Sequence, residues 1–354
     1  MGDQPIQFHI RLNDHADELV AEPNDTLLAT LETQGYRMPR SCRNGVCEIC
    51  EFTLIKGTVQ QRYPEKQLQQ DSLIQDDLQQ AVIGLACTSV PMSDLWVNIK
   101  GLKRPGEQIV KRLTCDIVQV VGLNYDVYKV TLQMPPTASK AVEYFAGQYL
   151  EIVMPDERKA AFSIGSAPEA GRLLELHIRD ASEFSKEIVK TLQSQKTIDV
   201  EIPKGDCFIK AADMDGVTPI ILAAASTGFS QMKSITEHLL AQGVKNPIHF
   251  YWGARIVADL YMPELPLEWV VTHSNVVYHP VVSEPGDKCG WTGRTDLLPD
   301  AISQDFESLE SAIVYTSGSP AMVYALLDAC ELKGLNEKNM YSDVFAYAPR
   351  PKKD

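Results

Sequence analysis

Nowhere does this chain string together the ~20 apolar residues that a membrane-spanning helix needs; its longest apolar run, TPIILAAA at 218–225, is far shorter. Positive charge is also scarce. Thirty-three Lys and Arg stand against 47 Asp and Glu, a net charge of −14, so neither a nucleic-acid backbone nor an anionic membrane surface is an expected partner. The amino-terminal segment MGDQPIQFHIRLND has no basic region followed by an apolar core, so no signal peptide is expected. A cytoplasmic location follows as the expectation, with cysteines that stay reduced or bind metal rather than pair as disulfides. What is present is ordinary globular usage, 44% hydrophobic and 23% charged over 354 residues. That excludes wholesale disorder and fits two or three domains.

The eight cysteines are unevenly spread. Cys42, Cys47 and Cys50 form a Cys-x4-Cys-x2-Cys run, and 36 residues separate Cys50 from Cys87. This is the plant-type spacing for a [2Fe–2S] cluster. Four thiolates must converge on two irons, and a loop centred on Gly45 can curl so that backbone N–H groups face the sulfurs. A four-cysteine zinc site usually uses two Cys-x2-Cys knuckles, and Cys87 has no such neighbour. Cys115, Cys207, Cys289 and Cys330 are scattered single residues of the kind that fill small core positions.

Around the cysteines, residues 6–12 alternate like a half-buried strand. Asp25 is placed to cap a helix carrying Leu27, Leu28 and Leu31, ending near Gly35; 53–55 and 96–99 read as later strands. Residues 1–98 hold 14 acidic and seven basic side chains, which reads either as a solvated face or as an acidic docking surface for a redox partner. Residues 100–108, KGLKRPGEQ, have the composition of a linker. Short apolar stretches then recur at 113–121, 127–134, 148–154 and 173–178, as in an antiparallel barrel. A helix is expected at Ser185–Leu192 and a strand at 197–202. From Val217 strands and helices alternate: a strand at 218–225, a helix at 229–241, strands at 248–252 and 312–316, a helix from Pro320 to Leu332 and a last strand near Tyr341–Tyr347. That alternation predicts a parallel sheet with helices on both faces.

Several segments recur together: FAGQYL (145–150), FSIGSAP (162–168), ELHI (175–178), STGFS (226–230), YWGAR (251–255), WTGRT (291–295), GSPAM (318–322) and YSDVF (341–345). In this order, joined to the cysteine pattern, the chain resembles the ferredoxin–NADP reductase superfamily with an amino-terminal plant-type ferredoxin domain. By this reading it is similar to reductase components of bacterial oxygenases and to CDP-6-deoxyglucoseen reductases. The flavin and nicotinamide halves also resemble NAD(P)H-flavin reductases. The resemblance implies a β-grasp [2Fe–2S] ferredoxin domain at 1–99, a linker at 100–108, an antiparallel β-barrel flavin domain at 109–213 and an α/β parallel-sheet NAD(P)H-binding domain at 214–354.

It also implies roles for individual residues. Cys42, Cys47, Cys50 and Cys87 would hold the cluster. Phe162 would face the flavin ring and Ser163 would hydrogen-bond N5, the atom that accepts hydride, with Ser166 in the SAP turn that follows. The backbone of His177, Ile178 and Arg179 would line the ring edge, and Ser185 at a helix start would meet a flavin phosphate. The family's Arg, three residues before the Ser, is Ala160 here. Lys159 and Arg158 are out of register, so the phosphate loses its bidentate partner. FAD is the first expectation and FMN the second.

Relatives carry Ala-Gly-Gly-Thr-Gly where this chain has Ala224-Ala225-Ser226-Thr227-Gly228, keeping Thr227 and Gly228 for the dinucleotide. Gly318, Ser319 and Pro320 match the segment that passes near the nicotinamide, with Ser317 in place of the usual Cys. Phe345 matches the carboxy-terminal aromatic near the flavin. Arg255 would contact the adenosine ribose or a 2′-phosphate. Asp343 is a candidate for influencing protonation.

Nicotinamide gives two electrons as hydride whereas the cluster accepts one, so a flavin between them is the implied bridge. The expected function is an electron-transfer reductase, from NADH or NADPH through FAD and the cluster to an oxygenase, hydroxylase or dehydratase component. Two alternatives stand beside it: a flavin reductase releasing free reduced flavin, and a non-catalytic redox-sensing or binding module.

Overall fold

The computed structural model describes residues 7–13, 18–40, 42–63, 71–77, 81–105, 108–138, 142–286 and 290–350. Cys289, Gly106 and Glu107 lie outside them. Chain contacts divide the protein into two compact units, residues 1–109 and 110–354, each taken here by itself.

In the first unit, β1 (Phe8–Leu12), β2 (Glu18–Ala21), β3 (Glu51–Lys56), β6 (Val82–Leu85) and β8 (Leu95–Asn98) make a mixed sheet in the order β2-β1-β8-β3-β6, with β1 and β8 parallel. A second small sheet holds β4 (Thr58–Gln61), β5 (Ser72–Gln75) and β7 (Ser89–Pro91). Helix α1 (Leu27–Thr33) buries Leu27, Leu28 and Leu31 in the core this unit shares with Ile10, Phe52 and Val97. Its cap is Thr26 rather than Asp25: the Thr26 hydroxyl accepts from the Ala29 N–H at 3.1 Å.

The expected linker does not run free at its start. Lys103 and Arg37 exchange backbone hydrogen bonds of 2.6 and 2.9 Å, Leu102 packs on the core and Pro105 lies against Gly35. A segment rich in Gly and charge reads as a linker by composition, yet Leu102 is enough to lay it onto the first unit.

The second unit carries two sheets. β9 (Lys111–Gly122), β10 (Val127–Gln133), β11 (Tyr149–Val153), β12 (Lys159–Ser163), β13 (Leu173–Arg179) and β14 (Thr197–Lys204) form a six-stranded antiparallel sheet in the order β12-β11-β14-β9-β10-β13. Past the end of β12, the Gly165 N–H donates to the Glu175 carbonyl of β13 at 2.6 Å, bringing the two edges together into a nearly closed barrel. Alternate residues such as Leu150, Ile152, Leu174, Leu176 and Ile178 fill its interior. Helix α2 (Glu183–Ser194) covers it with Ile188, Val189 and Leu192.

The other sheet is fully parallel: β15 (Ile220–Ala225), β16 (Ile248–Ala254), β17 (Val276–Val282), β18 (Ile313–Ser317) and β19 (Met340–Tyr341), ordered β17-β16-β15-β18-β19. Period-2 alternation sorts its side chains onto two faces. Ile220, Leu222 and Ala224 pack with α3 (Phe229–Ala241) and Trp269 of α4 (Glu264–Thr272). Ile221 and Ala223 pack with α5 (Leu298–Asp305) and α6 (Pro320–Glu331). Cys115, Cys207 and Cys330 are buried among these apolar side chains, as scattered cysteines should be.

The last strand is shorter than expected. Pairing stops at Tyr341, and the chain then turns into a short helix, α7 (Val344–Tyr347). The Ser342 hydroxyl accepts from the Val344 N–H at 3.3 Å and starts that turn, so Phe345 belongs to a helix and not to a strand.

Candidate functional site

The cluster loop follows α1 and leads into β3. Gly45 sits at φ +82°, and an added Cβ there would lie 2.8 Å from the Tyr63 ring; only glycine takes both the conformation and the space without strain. Around it the backbone turns its donors toward sulfur. The Cys42 N–H donates to the Cys47 Sγ at 3.4 Å, and the Cys47 N–H donates back to the Cys42 Sγ at 3.3 Å. N–H donation from Asn44 and Cys47 holds the Cys42 thiol down at about 6. Burial, with Cys50 beside it, pushes the Cys87 thiol up to about 12, against donation from the Gly45 N–H.

The sulfurs thus stand as two pairs, Cys42 with Cys47 and Cys50 with Cys87. Among the described residues no group of three His, Cys, Asp or Glu side chains closes around one ion. A diiron core takes two thiolates on each iron, which fits paired sulfurs facing inward N–H groups. Binding iron must strip the proton from Cys87.

In the second unit two clefts adjoin at the end of β18. One, of about 420 Å³, is lined by Tyr149, Phe162, Ser163, Gly205, Asp343 and Gly318, among others. The other, of about 680 Å³, is lined by Arg179, Ser226, Arg255, Asp259, Glu284 and Ser319, among others. The turn Ser317–Gly318–Ser319 stands between them. Phe162 and Ser163 are half-buried at the end of β12, and the Ser163 carbonyl accepts from the Ser230 hydroxyl at 3.2 Å. The first cleft therefore offers an aromatic face, a hydroxyl and a carboxyl group to a flat ring.

The turn after β15 is tightly built, with Ala225 and Ser226 where relatives carry glycine. Ser226 adopts φ +55°, the conformation glycine would supply, and Trp252 Nε1 donates to its carbonyl at 3.1 Å. Gly228 is indispensable: a Cβ there would lie 2.2 Å from the Ser317 carbonyl oxygen. Thr227 lies between them in the same turn. Ser319 caps α6 by accepting from the Met322 N–H at 3.4 Å, with Pro320 at the first helical position.

Several residues singled out in the sequence also have partners within the protein. Ser166 is buried and accepts from the Glu175 N–H while donating to the Leu173 carbonyl. Ile178 is wholly inside the barrel. His177 is wedged between Tyr261 (3.0 Å) and Glu175 (2.9 Å), and burial depresses its protonation. Ser185 lies inside the first turn of α2, which begins two residues earlier than expected. Its hydroxyl accepts from the Ser182 N–H in a reciprocal capping box. Phe345 packs against Tyr324 at 5.6 Å, while its neighbours Ala346 and Tyr347 line the first cleft. Arg179 reaches the second cleft but pairs with Asp126 (3.4 Å) and Asp259 (3.1 Å). The cations near Ala160 are paired too: Arg158 with Asp156 and Glu187, Lys159 with Glu201.

Asp343 is the most perturbed carboxyl of the first cleft. Burial raises it to about 6, with Asp206 adding to the effect and a hydrogen bond from Gln231 opposing it. Folding therefore binds a proton between about pH 4 and 6, and this contribution to stability is lost as pH rises through 6. Two pH units correspond to about 3 kcal/mol. Asp343→Asn is thus expected to raise the unfolding free energy at pH 8 by up to about 3 kcal/mol, with a far smaller gain at pH 4. Urea melts at the two pH values check this.

Comparison with known proteins agrees with the geometry. Residues 10–92 match the 2Fe-2S iron-sulfur cluster binding domain and residues 222–328 the oxidoreductase NAD-binding domain. The chain is 34% identical over 245 residues to the NAD(P)H-flavin reductase of Vibrio harveyi, covering 66% of this chain and 99% of that protein. It is 28% identical over 342 residues to the CDP-6-deoxy-L-threo-D-glycero-4-hexulose-3-dehydrase reductase of Yersinia pestis, covering 96% and 99%. In fold it matches the cytochrome P450 reductase GcoB of Amycolatopsis with a TM-score of 0.63 at 23% identity, covering 95% and 98%. The chain belongs to the ferredoxin–NADP reductase superfamily, in the branch that fuses a [2Fe–2S] ferredoxin domain to flavin and NAD-binding halves. It is an NAD(P)H-dependent flavin and iron–sulfur oxidoreductase that passes electrons from NAD(P)H through FAD and the cluster to a partner.

Proposed function

We propose that this chain is the reductase component of a multi-protein system, oxidising NADH and delivering single electrons to a separate oxygenase, hydroxylase or dehydratase component in the cytoplasm. The observation that carries the reading is the pair of clefts on either side of the Ser317–Ser319 turn, one lined by Phe162, Ser163 and Gly318 and the other by Ser226, Arg255 and Ser319. Reductase relatives of such systems support the kind of partner. Bound flavin supplies the exchange between a two-electron hydride and single electrons, and the [2Fe–2S] core supplies one-electron delivery.

The chain's own residues do the rest. With flavin bound, Phe162 and Tyr149 would flank it, Ser163 would offer its hydroxyl to it, and Asp343 would exchange a proton inside the same cleft. Thr227, Gly228 and the Ser317–Pro320 turn would hold the dinucleotide, and Gly318, which lines the first cleft, would leave room beside it. Arg255 lies in the cleft's adenosine end. Glu284 stands beside it, and a carboxylate there repels a 2′-phosphate, which favours NADH over NADPH. Cys42 and Cys47 would hold one iron, and Cys50 and Cys87 the other.

A second reading has its own support. With Arg158, Lys159 and the Ser182–Ser185 hydroxyls engaged internally, flavin phosphate gains little, as suits a reductase that exchanges its flavin. Gel filtration followed by cytochrome c reduction with NADH and with NADPH separates the two. The proposed reading expects retained flavin and NADH-driven cytochrome c reduction without added flavin. Colourless protein whose turnover depends on added flavin supports the exchange reading.

A further inference from the structure

Helix α3 presents a polar seam to the barrel half. Ser230, Lys233 and Ser234 donate to the carbonyls of Ser163, Gly165 and Ser166 at 3.2, 3.1 and 2.8 Å. Gln231, 1% exposed, differs from these three in what it joins. Its amide nitrogen donates to the Gly147 carbonyl at 2.6 Å, in the segment entering β11, and to Asp343 Oδ2 at 2.8 Å, in the segment entering α7. A primary amide has two N–H donors, and these two short bonds use both. Flipping the amide would set its oxygen against a carbonyl and a carboxylate, so both neighbours enforce one orientation.

The opposite oxygen, Asp343 Oδ1, lies over Gly205, where an added Cβ would be 2.9 Å away. Gly205 and Asp343 both line the first cleft. The groups facing the carboxyl are Asp206, Tyr149, Tyr347 and the buried Cys207, whose backbone N–H also donates to it. None of the side chains among them is a cation. Gln231 and the Cys207 N–H are thus the donors that favour the ionised form, against burial and Asp206.

We infer that Gln231 is a positioning residue: it pins Asp343 Oδ2 and leaves Oδ1 directed to the flavin cleft, so the first helix of the nucleotide sheet sets where and when that carboxyl exchanges its proton. The inference rests on the reading of Asp343 as the proton-exchanging group of the cleft. Removing the donor weakens the ionised carboxylate and moves its titration to higher pH.

The test uses infrared titration of the full chain, reading the protonated carboxyl band that is present in wild type and absent from Asp343→Asn. Wild type is expected to titrate near pH 6. Gln231→Met keeps the side-chain length and deletes both donors, and Gln231→Glu replaces them with a second carboxyl; in each the band's midpoint is expected at higher pH. The acid-side inflection of NADH-driven ferricyanide reduction should move with it, kcat changing while KM for NADH stays put. A midpoint unchanged in both variants overturns the role of Gln231. A wild-type chain with no Asp343→Asn-sensitive band between pH 4 and 8 overturns the reading of Asp343 itself, and the inference with it.

Discussion

Cys87→Ala abolishes cytochrome c reduction while leaving NADH oxidation by ferricyanide largely intact. Three thiolates cannot complete a core that needs two per iron, so the cluster fails to assemble, and the expected loss of one-electron delivery is at least ~10²-fold. The dinucleotide and ring clefts lie wholly within residues 110–354, a compact unit of its own, and the substitution leaves them untouched. Cys115→Ala is the matched control. Cys115 is also buried, but it sits in the barrel core, so its loss costs packing and no iron. Iron content and the two acceptor assays, run on both variants, check the contrast. Equal loss of iron in both would mean that Cys87 has no special place.

Ser163→Ala is expected to slow NADH-driven reduction of the bound flavin by ~10²–10³-fold, the usual cost of removing one donor aimed at developing charge. Ser163 lines the first cleft with Asp343, and the hydrogen bond that ties this residue to α3 runs through its backbone carbonyl. The fold should therefore survive the change. Single-turnover reduction rates, with a thermal melt beside them, check this: the rate falls and the melting temperature barely moves. A rate within a factor of three of wild type contradicts the role given to Ser163.

Much of this architecture is written locally. The helix at 229–241 runs where its apolar periodicity places it, because Phe229, Met232, Ile235 and Leu239 all face one core. The cluster loop is legible because cysteine spacing and Gly45 are both short-range constraints. The carboxy-terminal segment misleads for the opposite reason. YSDVFAY is rich in the aromatic and β-branched residues of a strand, yet only Tyr341 is paired, stacked on Tyr315 at 4.8 Å, before Ser342 turns the chain. The side-chain partners of Ser166 and His177 are not legible in the sequence, because the Ser166–Glu175 and His177–Tyr261 bonds form only once the chain has folded. Gln231 carries no signal at all in the sequence. It becomes significant only because the fold brings Gly147, 84 positions before it, and Asp343, 112 after it, to one amide.

The central claim is that hydride from NADH becomes single electrons at iron through a flavin held by the same chain. Anaerobic rapid mixing of the iron-replete, flavin-loaded protein with NADH follows both chromophores at once. Flavin absorbance should fall first and cluster absorbance after it, at a rate no faster than the first phase. Cluster bleaching that comes before the flavin's, or never comes, would contradict the claim.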